Sequence, residues 1–556
     1  MSSAFGRRVP LSVPGHGTGY GEAPRDGPGQ GGGSSARTGD GATPPTPEAG
    51  DRRAKQENSS ASAVDLPMIK STYVCGAERA LMTPPPQDIG DPSMVDESNT
   101  VTERSAAPIA QLRATVSGRV LVPGDAGYDE ARTVYPGGMD QRPAVIVQPA
   151  DAADVTQVVS VARESGVPFA VKSGGHSVFS LCDDGIVLDL SSLRDLRVDP
   201  ETRTVWAQPG VTTRDFSLAA AEHGLAIGFG DVGSVGLGGI TVGGGVGYLS
   251  RKYGLTIDDL LAAEVVTADG EVRLVDAEHE PDLFWAIRGG GGNFGVVTRM
   301  RFRLHELGTI LGGMLMLPAT AEVIDGFVKE AQRAPEELSS IVNIMTAPPM
   351  PFVPEELHGK PAVLAMLVYA GEVEAGERAV APFRALATPI VDFVGPMTYP
   401  EVYPPDEEGY HPVAASRNLF ADDIDLDDAA LIVERITTSK ASMAAVQVRV
   451  LGGALARVPQ DATAFAHRDR AIMLNVAAVY ENPDEAEEHT RWVEEVTAAL
   501  QKGVPGAYVN FLEDDSEARI QEAYPEPTWT RLRAVKRVYD PANLFRLNSN
   551  IPPADD

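Results

Sequence analysis

The sequence predicts an α+β protein, and three features of it do so. Between residues 144 and 304, short apolar stretches of strand length are mixed with short helical patterns. From Gly312 onward, longer strand patterns alternate with amphipathic helical ones, which suits an antiparallel sheet with its helices on one face. Three glycine-rich stretches lie between Lys172 and Gly295, where the first part of the chain brings backbone close to something it binds. The second layer could lid the first.

Residues 1–108 are rich in Gly, Pro, Ser, Thr and charge and show no sustained periodicity. Such chain buries too little apolar surface to offset its ordering entropy, so it reads as a disordered tail. Met68, Met82 and Met94 leave open a later start. Order is expected from Pro108. A strand over 144–147 stops at Pro149, and Asp151 or Asp154 caps a helix through Val155, Val158, Val159 and Ala162 that Gly166 closes. Strands follow at 169–171 and 186–190. Those at 196–198 and 204–206 flank Asp199-Pro200-Glu201-Thr202 as a hairpin. A helix over 213–223 ends at Gly224, a short one covers 246–253, and two strands surround Ala268-Asp269-Gly270. In the second part, strands are expected at 314–317, 341–345, 362–368, 446–450 and 471–479. Helices are expected near 321–333, 374–387 and 484–502, with a last one over 529–538. This divides the chain into the tail, a first domain over 109–308, a second over 309–505 and a closing segment over 506–556.

Composition excludes several classes. A formal net charge of −31 argues against a nucleic-acid partner or an anionic membrane surface. Two cysteines, Cys75 and Cys182, are too few for a disulfide framework or a thiolate metal site. No apolar run is long enough to span a membrane, and Arg7-Arg8 is not followed by the apolar run of a signal peptide, so the expectation is a cytoplasmic protein. The histidines show no metal-ligand spacing. Ser177 comes nearest to a nucleophile elbow, but Phe179 stands where that turn needs glycine.

The glycine stretches carry the chemistry. Lys172-Ser173-Gly174-Gly175-His176-Ser177 follows a strand, and successive N–H groups at such a turn form a concave anion site suited to a pyrophosphate. Gly290 to Gly295 fits G-x-G-x-x-G, yet a helical pattern precedes it and a strand follows, the reverse of the dinucleotide-binding order. It is a close-approach loop, not a Rossmann turn. Glu513-Asp514-Asp515 reads as a solvated acidic run, and Arg251-Lys252-Tyr253 as capping or pairing positions on a short helix.

Four stretches together resemble the berberine bridge enzyme-like FAD-linked oxidases of the vanillyl-alcohol-oxidase, PCMH-type superfamily. They are Ser173 to Ser177, Gly243 to Leu255, Pro281 to Thr298, and Tyr539 to Asn548 with Asn550-Ile551-Pro552-Pro553. The resemblance implies a two-part PCMH-type FAD-binding domain and an antiparallel-sheet substrate domain. It implies FAD contacts at Lys172, Ser173, Gly174, Gly175, His176, Ser177, Gly233, Ser234, Val235, Gly238, Gly239, Gly243, Gly245, Val296, Asn510 and Asn548. His176 matches the histidine joined to the flavin 8α-methyl group; taken alone, it could equally be a turn histidine bonded to its own loop. Val232 stands where some relatives carry a second, cysteine link, so His176 is expected to be the single covalent tether. Val235 matches a small residue found in relatives that use dioxygen, and Ile240 replaces a histidine that others place near the flavin. Tyr508 matches a tyrosine facing the flavin and is the candidate base, with a tyrosine of the sheet as the plain alternative.

The expected function is oxidation of a small alcohol or amine (a sugar, alkaloid or polyketide type of molecule) by hydride transfer to FAD, with dioxygen as acceptor. A dehydrogenase with another acceptor, and a flavin-containing ligand-binding protein without turnover, are the alternatives.

Overall fold

The computed structural model describes residues 97–405 and 409–555, so the expected tail up to residue 96 lies outside the described residues. Helix Glu97–Thr115 runs across residue 108, where the sequence placed the end of the tail. Its Leu112 packs into the first core, a reward that composition counting over the tail does not register. Of the two candidate caps, Asp151 takes the role: its carboxylate accepts the N–H groups of Ala153 and Asp154 at the start of helix Ala152–Ser165. Asp154 instead turns back, accepting from Ser117, Gly118 and Ala150 at 2.8 Å, and ties the chain entry to the helix.

Among the described residues three sheets carry the fold. The first has four strands in the order Arg119–Leu121, Val145–Gln148, Ile186–Asp189, Phe169–Lys172, the last three parallel. Helix Ala152–Ser165 covers it through Val155, Val158, Val159 and Ala162. The second has five antiparallel strands in the order Leu196–Asp199, Thr204–Ala207, Val296–Arg303, Leu260–Val266, Val272–Asp276. Phe216, Phe229 and Phe302 pack edge to face in its core. The second glycine stretch is not all loop: Leu237–Gly243 forms a short helix. Conversely, the helix expected over 246–253 shrinks to the turn Ser250–Tyr253. Gly244 and Gly245 just before it have φ of 139° and 80°, which no helix continues through.

The third sheet has eight strands. Seven run in the order Val391–Asp392, Ile310–Pro318, Pro361–Tyr369, Leu338–Thr346, Met443–Val450, Ile472–Val479, Ala414–Ala421. Helices Ala321–Arg333, Val373–Arg384, Leu426–Thr438 and Ala486–Leu500 share one apolar core with it. Its opposite face looks onto the first part of the chain. Strand Ala414–Ala421 and helix Leu426–Thr438 were not expected, because Ser416, Arg417 and Asn418 break the apolar pattern. Arg251 and Lys252 cap as anticipated: Arg251 is buried and donates to the carbonyls of Ala331, Ala334 and Leu451, and Lys252 to that of Ala370.

Helix Thr528–Tyr539 docks the closing segment through a buried ion pair. Lys536 Nζ lies 2.7 Å from Asp540, both side chains fully buried, and donates to the carbonyls of Asn293 and Phe545. Asp540 accepts the N–H groups of Leu544 and Phe545. Asn293 in turn donates to Ser549 O and accepts from Ile551 N, so the third glycine loop and the chain end are held as one unit. Removing one partner leaves an uncompensated buried charge. Asp540→Ala is expected to lower unfolding stability by about 3–5 kcal/mol in denaturant titrations.

Candidate functional site

The first and second glycine stretches meet back to back. A Cβ on Gly174 would lie 2.3 Å from Gly236 N, and one on Gly236 would lie 2.5 Å from Gly174 N. A Cβ on Gly238 would press on Ser173 Oγ at 2.9 Å, a hydroxyl that donates to Pro209 O at 2.6 Å. No other residue type fits at either crossing. The loops so joined form one wall of a cavity of about 470 Å³. The third glycine loop (Gly291, Gly292, Asn293, Gly295), the closing segment (Phe545, Leu547, Asn548) and the face of the third sheet complete it.

His176 lines this cavity, its ring stacked on Tyr135 at 4.5 Å and 17°. The stack is fixed from behind: Tyr135 N–H donates to Gly175 O, and Gly137 N–H to Pro412 O on the chain leading into the third sheet. Tyr508 is buried and also lines the cavity. Its hydroxyl oxygen accepts from Gly245 N at 2.8 Å and from Asn510 Nδ2 at 2.9 Å. Asn510 Nδ2 also donates to Ile240 O, which fixes the orientation of the amide. Burial pushes the Tyr508 pKa above the ordinary tyrosine value, opposed by these two donors and by Arg449.

The sheet face is a graded floor. Asn343, Gln447, Asn475 and Asn418 stand in register across four neighbouring strands, an amide row inside apolar segments. Two residues along lies the row Ala445, Ala477 and Ser416, then Met443, Val479 and Ala414. Asn418 is fully used, accepting from Tyr508 N and donating to Phe511 O. Gln447 accepts from Arg449 and donates to Asn343. Arg449 also donates to Val246 O, pairs with Asp231 at 2.8 Å and lies 5.0 Å over the Phe511 ring. Asn475 Oδ1 is buried with no partner. Glu513 lines the cavity, one oxygen accepting from Ser416 N at 3.1 Å. Burial raises its pKa, with no cation beside it to oppose the shift.

Of the residues expected at the site, Ser173, Gly174, Gly175, His176, Ser177, Val235, Gly238, Gly239, Val296, Tyr508, Asn510 and Asn548 line the cavity. Val232 and Ile240 line it too. Lys172 does not: its buried ammonium turns away to Ala131 O at 2.7 Å and Asp189 at 3.4 Å, because the strand alternation puts it on the far face. Gly233 and Ser234 also stand outside the lining, Gly233 lying under the Arg214 guanidinium. Gly243 and Gly245 act from behind, one against Asn510 and one through its N–H to Tyr508. Glu513, read as a solvated acid, is exposed and also lines the cavity. The amide row was missed as well, although amides at alternate positions of apolar strands were the available signal.

The cavity fits FAD on two counts. The glycine crossing lays two loop backbones together along the cavity, with open space beside Gly239, and Asn548 Oδ1 is left buried without a partner while Asn548 Nδ2 donates to Gly292 O. An orphaned acceptor on the cavity lining suits a heteroaromatic N–H. The FAD binding domain family matches residues 143–276, and the berberine and berberine-like family matches residues 507–552. Fold, cavity and these matches define an FAD-linked oxidoreductase. An (R)-6-hydroxynicotine oxidase of Paenarthrobacter nicotinovorans is 31% identical over 453 residues, 79% of this chain and 97% of that protein. A xylooligosaccharide oxidase of Thermothelomyces thermophilus is 28% identical over 459 residues, 74% of this chain and 88% of that protein. The crystal structure of 6-hydroxy-D-nicotine oxidase from Arthrobacter nicotinovorans has a TM-score of 0.72 at 28% identity, covering 81% of this chain and 100% of that one. The chain belongs to the berberine bridge enzyme-like family of FAD-linked oxidoreductases. No helix among the described residues is long and apolar enough to cross a membrane.

Gly236→Val places branched carbons into the Gly174 backbone. The variant is expected to keep its far-ultraviolet circular dichroism and to lose at least ten-fold in FAD bound per chain, read from the flavin absorbance of purified protein.

Proposed function

We propose that the protein oxidises a carbon bearing an alcohol or amine in a small organic molecule, with FAD held through His176 and dioxygen as final acceptor. Bound FAD supplies the hydride acceptor at such a site. The chain's own residues supply position and proton handling. Residues 173–177 and 235–239 hold the pyrophosphate and ribityl side, and His176 is the single covalent tether, since Val232 offers no sulfur. Asn548 and Asn510 orient polar edges. Val235 leaves room for dioxygen.

The observation that carries the reading is Tyr508. Both N–H donors aim at its oxygen, so its own hydrogen is free for the cavity. When the carbon of an alcohol or amine gives up hydride, a carbonyl or neutral imine forms only as the oxygen or nitrogen loses its proton, and Tyr508 is the titratable group at that place. A phenolate formed there keeps two N–H donors, the arrangement that stabilises developing negative charge. Because burial holds the proton on Tyr508, the deprotonated form grows as pH rises toward a pKa above the ordinary one. The rate of anaerobic flavin reduction is therefore expected to climb with pH from 6 to 9.

The test is anaerobic mixing of the holoenzyme with a panel of alcohols, sugars and amines, watching the oxidised flavin bleach. At least one compound should bleach it, and Tyr508→Phe should slow that step about 10²–10⁴-fold while leaving apparent substrate affinity within three-fold. A panel that leaves the flavin oxidised favours ligand binding without turnover. Bleaching that survives Tyr508→Phe removes the tyrosine from the proton step.

A further inference from the structure

The charges around the cavity do not balance. Among the described lining residues, Asp231 and Arg449 neutralise each other at 2.8 Å, and His176 belongs to the glycine-loop wall. On the side built by the third sheet and residues 508–513, Glu513 is left as an acid without a basic partner. Ser416 N–H holds one carboxylate oxygen, and the residue, exposed to solvent, lines the cavity without a counter-ion. An exposed carboxylate on a cavity wall attracts cations and disfavours anions. A second observation points the same way. Asn475 Oδ1, in the neighbouring amide row, is buried with no donor. Surplus acceptors, one of them charged, line this side.

We propose that Glu513 selects substrates by a protonated nitrogen, binding an ammonium group over Ser416 and the Ala445–Ala477 floor. The floor tells what the rest of the molecule is like. Ala445 and Ala477 leave space for a flat or slender body, and Met443, Val479 and Ala414 beyond them are apolar. The Ser416 row is two residues, about 7 Å along the strand, from the row where Asn418 pins the backbone of Tyr508. A ligand of arylalkylamine size reaches from one to the other. Neutral molecules of the same shape, alcohols included, would leave the carboxylate unpaired and bind less well. Anionic ones would be repelled.

The inference rests on the proposed function for the direction of the reacting end, and binding reads it without turnover. Holoenzyme is titrated calorimetrically with matched arylalkyl amines and alcohols, from benzyl to phenylbutyl, and with arylalkanoates. The wild type should bind the amines at least ten-fold more tightly than the alcohols. Glu513→Gln keeps an acceptor for Ser416 N–H and should erase that preference; Glu513→Lys should shift it toward the arylalkanoates. Glu513→Asp should retain part of it, and thermal unfolding midpoints should match the wild type in all three. Equal or absent binding of amines and alcohols by the wild type overturns the proposal, as does an amine preference that survives Glu513→Gln. If the preference behaves as expected but no compound of the alcohol, sugar and amine panel bleaches the flavin, the function reading fails and the specificity stands. If a compound of that panel bleaches the flavin and Glu513→Gln leaves the preference unmoved, the specificity fails alone.

Discussion

The contact between the backbones at Gly174 and Gly236 governs the rest of the site. Each position excludes a Cβ because the other chain segment is already there, at 2.3–2.5 Å. Two stretches far apart in sequence are thereby locked together at van der Waals distance, and Ser173 Oγ to Pro209 O tightens the join. The crossing decides where residues 174–177 pass, hence where His176 points. Tyr135 then clamps the imidazole by stacking, and the chain behind Tyr135 is bonded to Pro412 at the entry of the third sheet. A single steric constraint thus sets the position of the glycine-loop wall relative to the face of the third sheet.

Arginines fasten the two walls. Arg449 reaches from the third sheet to Val246 O and Asp231, Arg468 reaches Asp258 at 2.6 Å, and Arg251 reaches back to Ala331, Ala334 and Leu451. Each guanidinium spends several donors at once, as its planar fork permits. The cavity is consequently lined by groups whose orientation does not depend on a ligand. Tyr508 shows the result: its backbone N–H, its hydroxyl oxygen and its neighbour Asn510 are all fixed by partners within the fold. Preorganised dipoles of this kind need little rearrangement when charge develops beside them.

The glycine loops, His176 and Tyr508 were legible in the sequence because they belong to compact local motifs. Helix ends at Asp151 and Gly166 were legible for the same reason, since caps are local chemistry. What was hidden depends on register between distant strands. Asn343, Gln447, Asn475 and Asn418 are unremarkable one at a time and become a row only when four strands align. Strand Ala414–Ala421 hid because Ser416 lines the cavity and Asn418 bonds the backbone of Tyr508 and Phe511, which breaks its apolar pattern. Glu513 was lost among its acidic neighbours, and only the Ser416 contact separates it from them. Lys172 erred in the opposite direction: adjacency to the motif suggested a ligand contact, while the period of two in a strand turned it toward Asp189.

The proposed covalent link between His176 and the flavin has a direct test. Holoprotein is precipitated with acid, washed, and flavin absorbance is measured in the pellet and the supernatant. The yellow colour is expected to stay with the wild-type pellet and to leave with the supernatant from His176→Ala. Flavin released into the supernatant from the wild type would contradict the tether at His176.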